Sequence, residues 1–439
     1  MELLHGRLWL LITAAAAIVS VSGQHRHIVA MLCTAAVLAL APNWFDYRAV
    51  FIAAEQVDLP GTVRLGLVRA ATLLAWLALV VAAIWLTRHY RHRPLARRPV
   101  LLEHIVFLCL LGLASSGIVQ GVSKVMLWSL LTVFAAYFWY LAYALIDQTH
   151  QRSSGLVLQL ATFHPFFGSF TSPVGKGAAY WRSVESQTPE DLAVTQLKGL
   201  KLIVWALLLQ ILLEVYRRVI YGKLGVAPLW FSFDQFVSAG VEPGAAGLLT
   251  IAADYFEQLL IISVWGHVIV AIARLAGFRL LRNTRNPLAS RSIAEFWNRF
   301  DYYFKELLVH VYFYPTYLRC FKRFPRLRIA FATFMAAGVG NLLFHFMLEN
   351  YRIPQDGLLD AIIHMQTYAF YCFVLVSGIV ISQLRAKRPD PNAGWVRGQL
   401  LPCSGVALFY CFLSFFDGAD TSVELSKHFA YLFHVLGVY

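Results

Sequence analysis

The sequence predicts an all-α, polytopic transmembrane protein, and three observations lead there. Hydrophobic residues make up 59% of the 439, the mean hydropathy is +0.61, and 14% are charged; an average soluble domain carries about 25% charged residues. Apolar runs of about 20 residues, long enough to cross a bilayer, recur along the chain. Between them, arginine-rich loops alternate with acidic ones. A water-soluble core of this size would leave large apolar patches exposed, which soluble monomers avoid. Disorder needs low hydrophobicity and is excluded by the same composition.

In chain order, spans are expected near 8–23, 27–42, 64–87, 101–121 and 125–147, then near 200–222, 247–277, 328–349, 361–384, 400–416 and 424–438. That gives about eleven spanning helices in a single integral membrane domain covering 1–439. The first run follows Arg7 and has the make-up of a signal peptide. A second apolar run begins within a few residues, so the first reads as a span. Four loops are basic: 89–98 (HYRHRPLARR), 279–291 with four arginines, 319–328 (RCFKRFPRLR) and 385–397. Loops 43–63, 349–360 and 417–424 instead carry Asp46, Glu55, Asp58, Glu349, Asp356, Asp417, Asp420 and Glu424. Basic loops belong on the cytoplasmic face. The sides then alternate only if two further apolar segments, 156–170 and 300–318, are re-entrant or interfacial. Interrupted backbone at membrane depth is buried in protein or lines a wet cavity, so both segments are expected to border a site. No inverted internal repeat of transporter type is visible.

The formal charge of +13, from 37 Lys and Arg against 24 Asp and Glu, would suggest nucleic acid in a soluble protein. Here the charge sits in loops between spans, where it attracts anionic lipid or a phosphorylated substrate, and no nucleic-acid partner is expected. The six cysteines (Cys33, Cys109, Cys320, Cys372, Cys403 and Cys411) lie mostly in apolar runs without CxxC or Cys/His spacing. They read as small buried hydrophobes, so neither a disulfide framework nor a metal site is expected.

Ionisable residues inside apolar runs are costly and are the first candidates for chemistry. His345 lies in GVGNLLFHF, with Asn341 four residues earlier on the same helix face. The asparagine can fix the tautomer and leave the other ring nitrogen free to take a proton. A core histidine satisfied by a backbone carbonyl is the plainer alternative. Segment 292–317, SIAEFWNRFDYYFKELLVHVYFYPTY, gathers Trp297, Asn298, Arg299, Asp301, Lys305, Glu306 and His310. Helical spacing places Asn298, Asp301 and Lys305 on one face; an interfacial amphipathic helix is the alternative. Segment 163–182, FHPFFGSFTSPVGKGAAYWR, combines Pro165 and Pro173 with Gly168, Gly175 and Gly177, which permits tight turns. Lys176 and Arg182 there are placed to contact a phosphate, although no Walker loop is present. A plain connecting loop accounts for the same residues.

Taken in order, HPFFGSFTSPVGKG from His164, EFWNRFD from Glu295 and GNLLFHF from Gly340 together resemble the motif series of the membrane-bound O-acyltransferase superfamily. That superfamily includes the membrane subunits of alginate O-acetylation and teichoic-acid D-alanylation, and Hedgehog acyltransferase. Its members typically carry an FFP…GPI-type loop, an FW..WH-type segment and then a membrane-embedded histidine. The resemblance covers 155–385, the expected catalytic core, and His345 follows the second motif at the distance the family pattern expects. Asp301 stands where that motif usually has its second histidine. This is similar to Hedgehog acyltransferase, whose segment ends in Phe-Asp, here Phe300–Asp301. The Gly-Leu-Trp-His-Gly context usual around the embedded histidine is absent at His345.

The resemblance implies transfer of an acyl group from a cytoplasmic thioester, acyl-CoA or an acyl carrier, to a hydroxyl acceptor. No bound cofactor and no metal are implied. His345 would be the general base, and Asp301 would support the imidazole or the leaving group. Asn298 and Asn341 are the expected oxyanion donors, with Trp297 and His310 beside the substrate. Lys176, Arg299 and Lys305 are the expected contacts to the donor. The acceptor is left open among polysaccharide, lipid, metabolite and protein, as is a separate periplasmic partner. Family distribution and the Ala- and Arg-rich composition point to a bacterial inner membrane. His345 lies late in a helix that starts at a basic, cytoplasmic loop, so it is expected toward the outer leaflet. Two competing readings use the same residues: a transporter or flippase with His345 and Asp301 as proton or substrate sites, and an acyltransferase scaffold without activity.

Overall fold

A computed structural model describes residues 8–21, 23–40, 46–57, 61–90, 92–93, 97–149, 155–163, 167–168, 174–385 and 394–438. Among them the regular structure is entirely helical, and the only extended pairing is an isolated antiparallel bridge between Glu185 and Phe278. Seven described helices are long and apolar enough to cross a membrane: Val68–His89, Val122–Thr149, Pro189–Lys223, Ala246–Leu275, Pro325–Leu348, Gln366–Leu384 and Val396–Gly418. The other four expected spans are helical but shorter. Leu8–Val19, Gly23–Leu40, Pro99–Ser115 and Leu425–Val435 hold 12, 18, 17 and 11 residues. At 1.5 Å per residue each falls short of the ~30 Å hydrocarbon core when untilted.

The surface carries the mark of a lipid solvent. Along Pro189–Arg217 the side chains of Leu197, Leu200, Val204, Leu207, Ile211 and Val215 are all exposed. They recur every three or four residues, so they form one continuous apolar stripe. In water that stripe would be an aggregation site; in a bilayer it is the favourable face.

The helices pack into two compact units. The first comprises Met1–Gly199, Ile272–Leu280 and Phe346–Ala361. Its core is built on Val122–Thr149, which buries Trp128, Phe134, Phe138 and Tyr137. Trp76 meets Phe134 at 4.9 Å between ring centroids, and Phe107 meets Phe134 and Phe138 edge-on at 5.4 and 5.8 Å. Edge contacts of this kind stabilise aromatic pairs beyond the area they bury.

Of the segment 156–170, the structure describes a short helix, Leu156–Phe163, and residues 167 and 168. His164, Pro165 and Pro173 lie outside the described residues. The glycines that follow answer to packing. Gly175 (φ +114°) abuts the Trp181 indole, and a Cβ on Gly177 (φ +89°) would lie 2.9 Å from the Asp147 carboxyl carbon. Asp147 accepts a hydrogen bond from the Ala179 backbone N–H at 2.8 Å.

Glu185 closes this unit. Its carboxylate accepts from Arg26 Nη1 at 3.2 Å and meets His27 Nε2 at 3.1 Å. Burial pushes its pKa up, but the hydrogen bond and charge of His27, and then those of Arg26, outweigh burial and hold it below the ordinary carboxylate range. A depressed folded-state pKa stabilises above the unfolded value, and the contribution disappears as pH falls through the folded value. Thermal melts of the purified protein should therefore show a loss of stability in the acidic range that Glu185→Gln reduces, together with a lower melting temperature at neutral pH.

The second unit comprises Leu200–Ala271, Leu281–His345 and Ile362–Tyr439. Segment 300–318 is not one regular α-helix. It holds Tyr302–Leu308, a π-helical turn at Val309–Phe313 and the short Tyr314–Tyr317 helix. Even end to end these would span less than the ~30 Å hydrocarbon core. Another of the π-helical stretches, Phe334–Gly340, leads into Asn341–Leu348. Such widened turns are rare and recur at functional sites.

Candidate functional site

The site grows from a sharp turn. The helix Ile293–Arg299 starts at Ser292, whose side chain accepts from the Glu295 N–H at 3.1 Å. It stops at Phe300, which is extended, and Asp301 then adopts φ 46°, ψ 55° before the next helix begins. A left-handed aspartate is a costly backbone state that persists only when its surroundings impose it. Asn283 imposes it. Its Nδ2 donates to Asp301 Oδ1 at 3.1 Å, its Oδ1 accepts from the Tyr303 N–H at 3.1 Å, and its carbonyl accepts from the Tyr302 N–H at 2.9 Å. Asn283 is itself buried against Gly266, where a Cβ would stand 2.9 Å from the Asn283 Cβ.

This turn corrects one expectation. Asn298, Asp301 and Lys305 do not share a helix face, because the helix is broken at 300–301. Asn298 and Lys305 nevertheless meet on the wall of one cavity of about 290 Å³. Its apolar walls come from Trp297, Val309, Ala336 and Leu375, and its polar lining includes Glu306, Thr333, Gln383 and Asn341. Thr333 Oγ1 donates to Gln383 Oε1 at 2.9 Å. Asn341 is 1% exposed, and neither atom of its amide has a hydrogen-bond partner. A buried amide left unpaired is costly and rare, so this cavity has a polar group built to meet something.

Asn341 is placed by a close helix approach. Gly340 lies against the Tyr312 ring of the neighbouring π-helical turn, so a side chain there would overlap the ring. Gly340→Ala should lower the melting temperature, corresponding to about 1–3 kcal/mol of overpacking.

His345 follows one turn after Asn341. Its imidazole stacks on Tyr368 with ring centroids 4.2 Å apart, and it meets Tyr371 edge-on at 6.4 Å. Tyr371 lines a second cavity of about 190 Å³ and lies within electrostatic reach of Asp301 and Asp417. His345 and Asp301, 44 positions apart in the chain, thus both neighbour Tyr371. Trp297 forms part of the wall of both cavities.

The remaining sequence candidates are held in other ways. Arg299 pairs with Glu295 at 2.8 Å, and Lys305 pairs with Glu306 and lies 4.7 Å from the Tyr302 ring centre. His310 Nδ1 hydrogen-bonds the Glu306 carbonyl at 3.0 Å. Lys176 belongs to the first unit, 5.6 Å from the Tyr180 ring centre. Sequence reasoning missed Asn283 and Tyr371. Neither carries a local signal, since an asparagine in a basic loop and a tyrosine in an apolar run are both ordinary.

Among the described residues, no group of three or more His, Cys, Asp or Glu is placed to hold a metal ion. Neither the models of known protein families nor the curated protein sequences contain a match to this chain.

Proposed function

We propose that the chain is a multi-pass membrane acyltransferase that moves an acyl group from a thioester to an acceptor hydroxyl. The observation that carries the reading is the pairing of a buried, unpartnered Asn341 amide on a cavity wall with His345 one turn further along the same helix. Asn341 Nδ2 is suited to donate to the thioester oxygen as negative charge develops there. His345 removes the acceptor's O–H proton as that oxygen bonds to the carbonyl carbon. The C–S bond then breaks, and the proton passes from the imidazolium to the leaving thiolate. Asp301 stabilises the cationic imidazole across Tyr371. The motif series resembling the membrane-bound O-acyltransferases supports the same assignment, as does the setting in apolar helices. A bacterial inner membrane is the location that fits the family resemblance and the composition.

Membranes containing the protein should incorporate label from radiolabelled acetyl- or long-chain acyl-CoA above membranes lacking it. Background incorporation from every acyl-CoA and acyl-carrier donor would defeat the proposal. One observation favours a scaffold without transferase activity: His345 is stacked on Tyr368 and lines neither of the two cavities described above. The same measurement separates the two readings.

A further inference from the structure

The smaller cavity has a chemistry of its own. Its walls include Tyr255, Phe296, Trp297, Tyr371 and Tyr410, and Asp417 stands on its rim. Among the described residues, none of the side chains that line it is basic. The rings are held by one another: Phe296 stacks on Tyr410 at 3.8 Å between centroids, and Trp297 meets Tyr410 edge-on at 6.4 Å. The Tyr410 hydroxyl donates to the Ile293 carbonyl at 2.9 Å, which fixes that ring. Tyr255 is 4% exposed, and its hydroxyl has no hydrogen-bond partner.

Acidic side chains adjoin this wall. Asp254 is buried with one carboxylate oxygen unpartnered and interacts electrostatically with Asp417. That oxygen packs against Gly418, where a Cβ would stand 2.5 Å away. The nearby Arg217 is engaged elsewhere, at 2.6 Å from Glu257. Aromatic faces attract a cation through their quadrupoles, most strongly when the site is desolvated. A hydrocarbon chain in the same place would leave the buried Tyr255 hydroxyl without a polar neighbour.

We propose that this cavity binds an alkylammonium cation, with the aromatic rings around the charged group and Asp417 at the entrance. The volume of about 190 Å³ exceeds the ~150 Å³ that accommodates benzene in an engineered cavity, so a trimethylammonium group fits. The cation is either the headgroup of a zwitterionic lipid or a free amine. The cage depends on its aromatic walls and the acidic groups beside them, and it stands whether or not acyl transfer occurs next to it. If transfer does occur, the cation belongs to the acceptor.

The test is saturable binding of radiolabelled choline to the full-length protein in phosphatidylglycerol nanodiscs. The competitors are tetramethylammonium and 3,3-dimethylbutanol, the uncharged isostere of choline. Tetramethylammonium should displace the label and the neutral alcohol should not. Asp417→Asn should weaken choline binding at least about tenfold, and Tyr410→Leu should weaken it as well. Equal competition by the neutral alcohol, or no saturable binding, overturns the proposal without needing any variant to fold. Weaker choline binding in phosphatidylcholine nanodiscs would support the cage and assign it to a lipid headgroup. Unchanged binding there would support the cage and assign it to a free amine. Because the readout is binding, failure here leaves the acyl-transfer reading untouched, and the reverse also holds.

Discussion

His345→Ala is expected to slow acyl transfer by at least about a hundredfold, the lower end of what a positioned general base contributes. The substitution removes the imidazole but leaves Asn341, Lys305 and the walls of the larger cavity in place. Donor binding should therefore persist, and the loss should fall on kcat with KM for the donor nearly unchanged. Some stability is lost with the stack on Tyr368, so the comparison requires melting curves for both proteins. Initial rates over a range of donor concentrations, from equal amounts of folded protein, give the answer. A rise in KM at constant kcat would make His345 a binding residue instead.

Asn283→Ala is expected to reduce transfer by about tenfold or more through Asp301, although Asn283 lines neither cavity. Three hydrogen bonds converge on this residue, two of them through its side chain. Truncation leaves the buried Tyr303 N–H without its acceptor, at a cost of about 1–3 kcal/mol. It also frees Asp301 from the partner that holds it in the left-handed region. Asn283→Asp separates the two effects. It keeps an acceptor for Tyr303 but sets a second carboxylate against Asp301, so the fold should be retained more fully than activity. A melting temperature and a kcat measured on both variants check this; activity that simply follows stability would make Asn283 a structural residue only.

The helical, polytopic class was readable because it rests on composition and run length, which no tertiary contact can override. Each of the eleven expected runs contains a helix among the described residues, and seven of these helices reach spanning length. The spacing of Asn341 and His345 was also readable, since four residues within a helix make one turn. The break at Phe300–Asp301 was not. Nothing local forbids a helix there, and the turn exists because Asn283, distant in sequence, satisfies the backbone of Tyr302 and Tyr303. Gly340 carried no signal either, because its need for a bare Cα arises from the Tyr312 ring on another segment. The aromatic cavity joins residues from 255 to 418, and only packing brings such a set together.

The central claim is that His345 and Asp301 act as one unit around Tyr371. The direct measurement is a double-mutant cycle on acyl-transfer rate with His345→Ala, Asp301→Asn and the combined variant. Groups that act together are strongly non-additive, so the account predicts that the combined variant is no slower than the worse single one. Losses that multiply, with each substitution taking its full toll in the presence of the other, would contradict it.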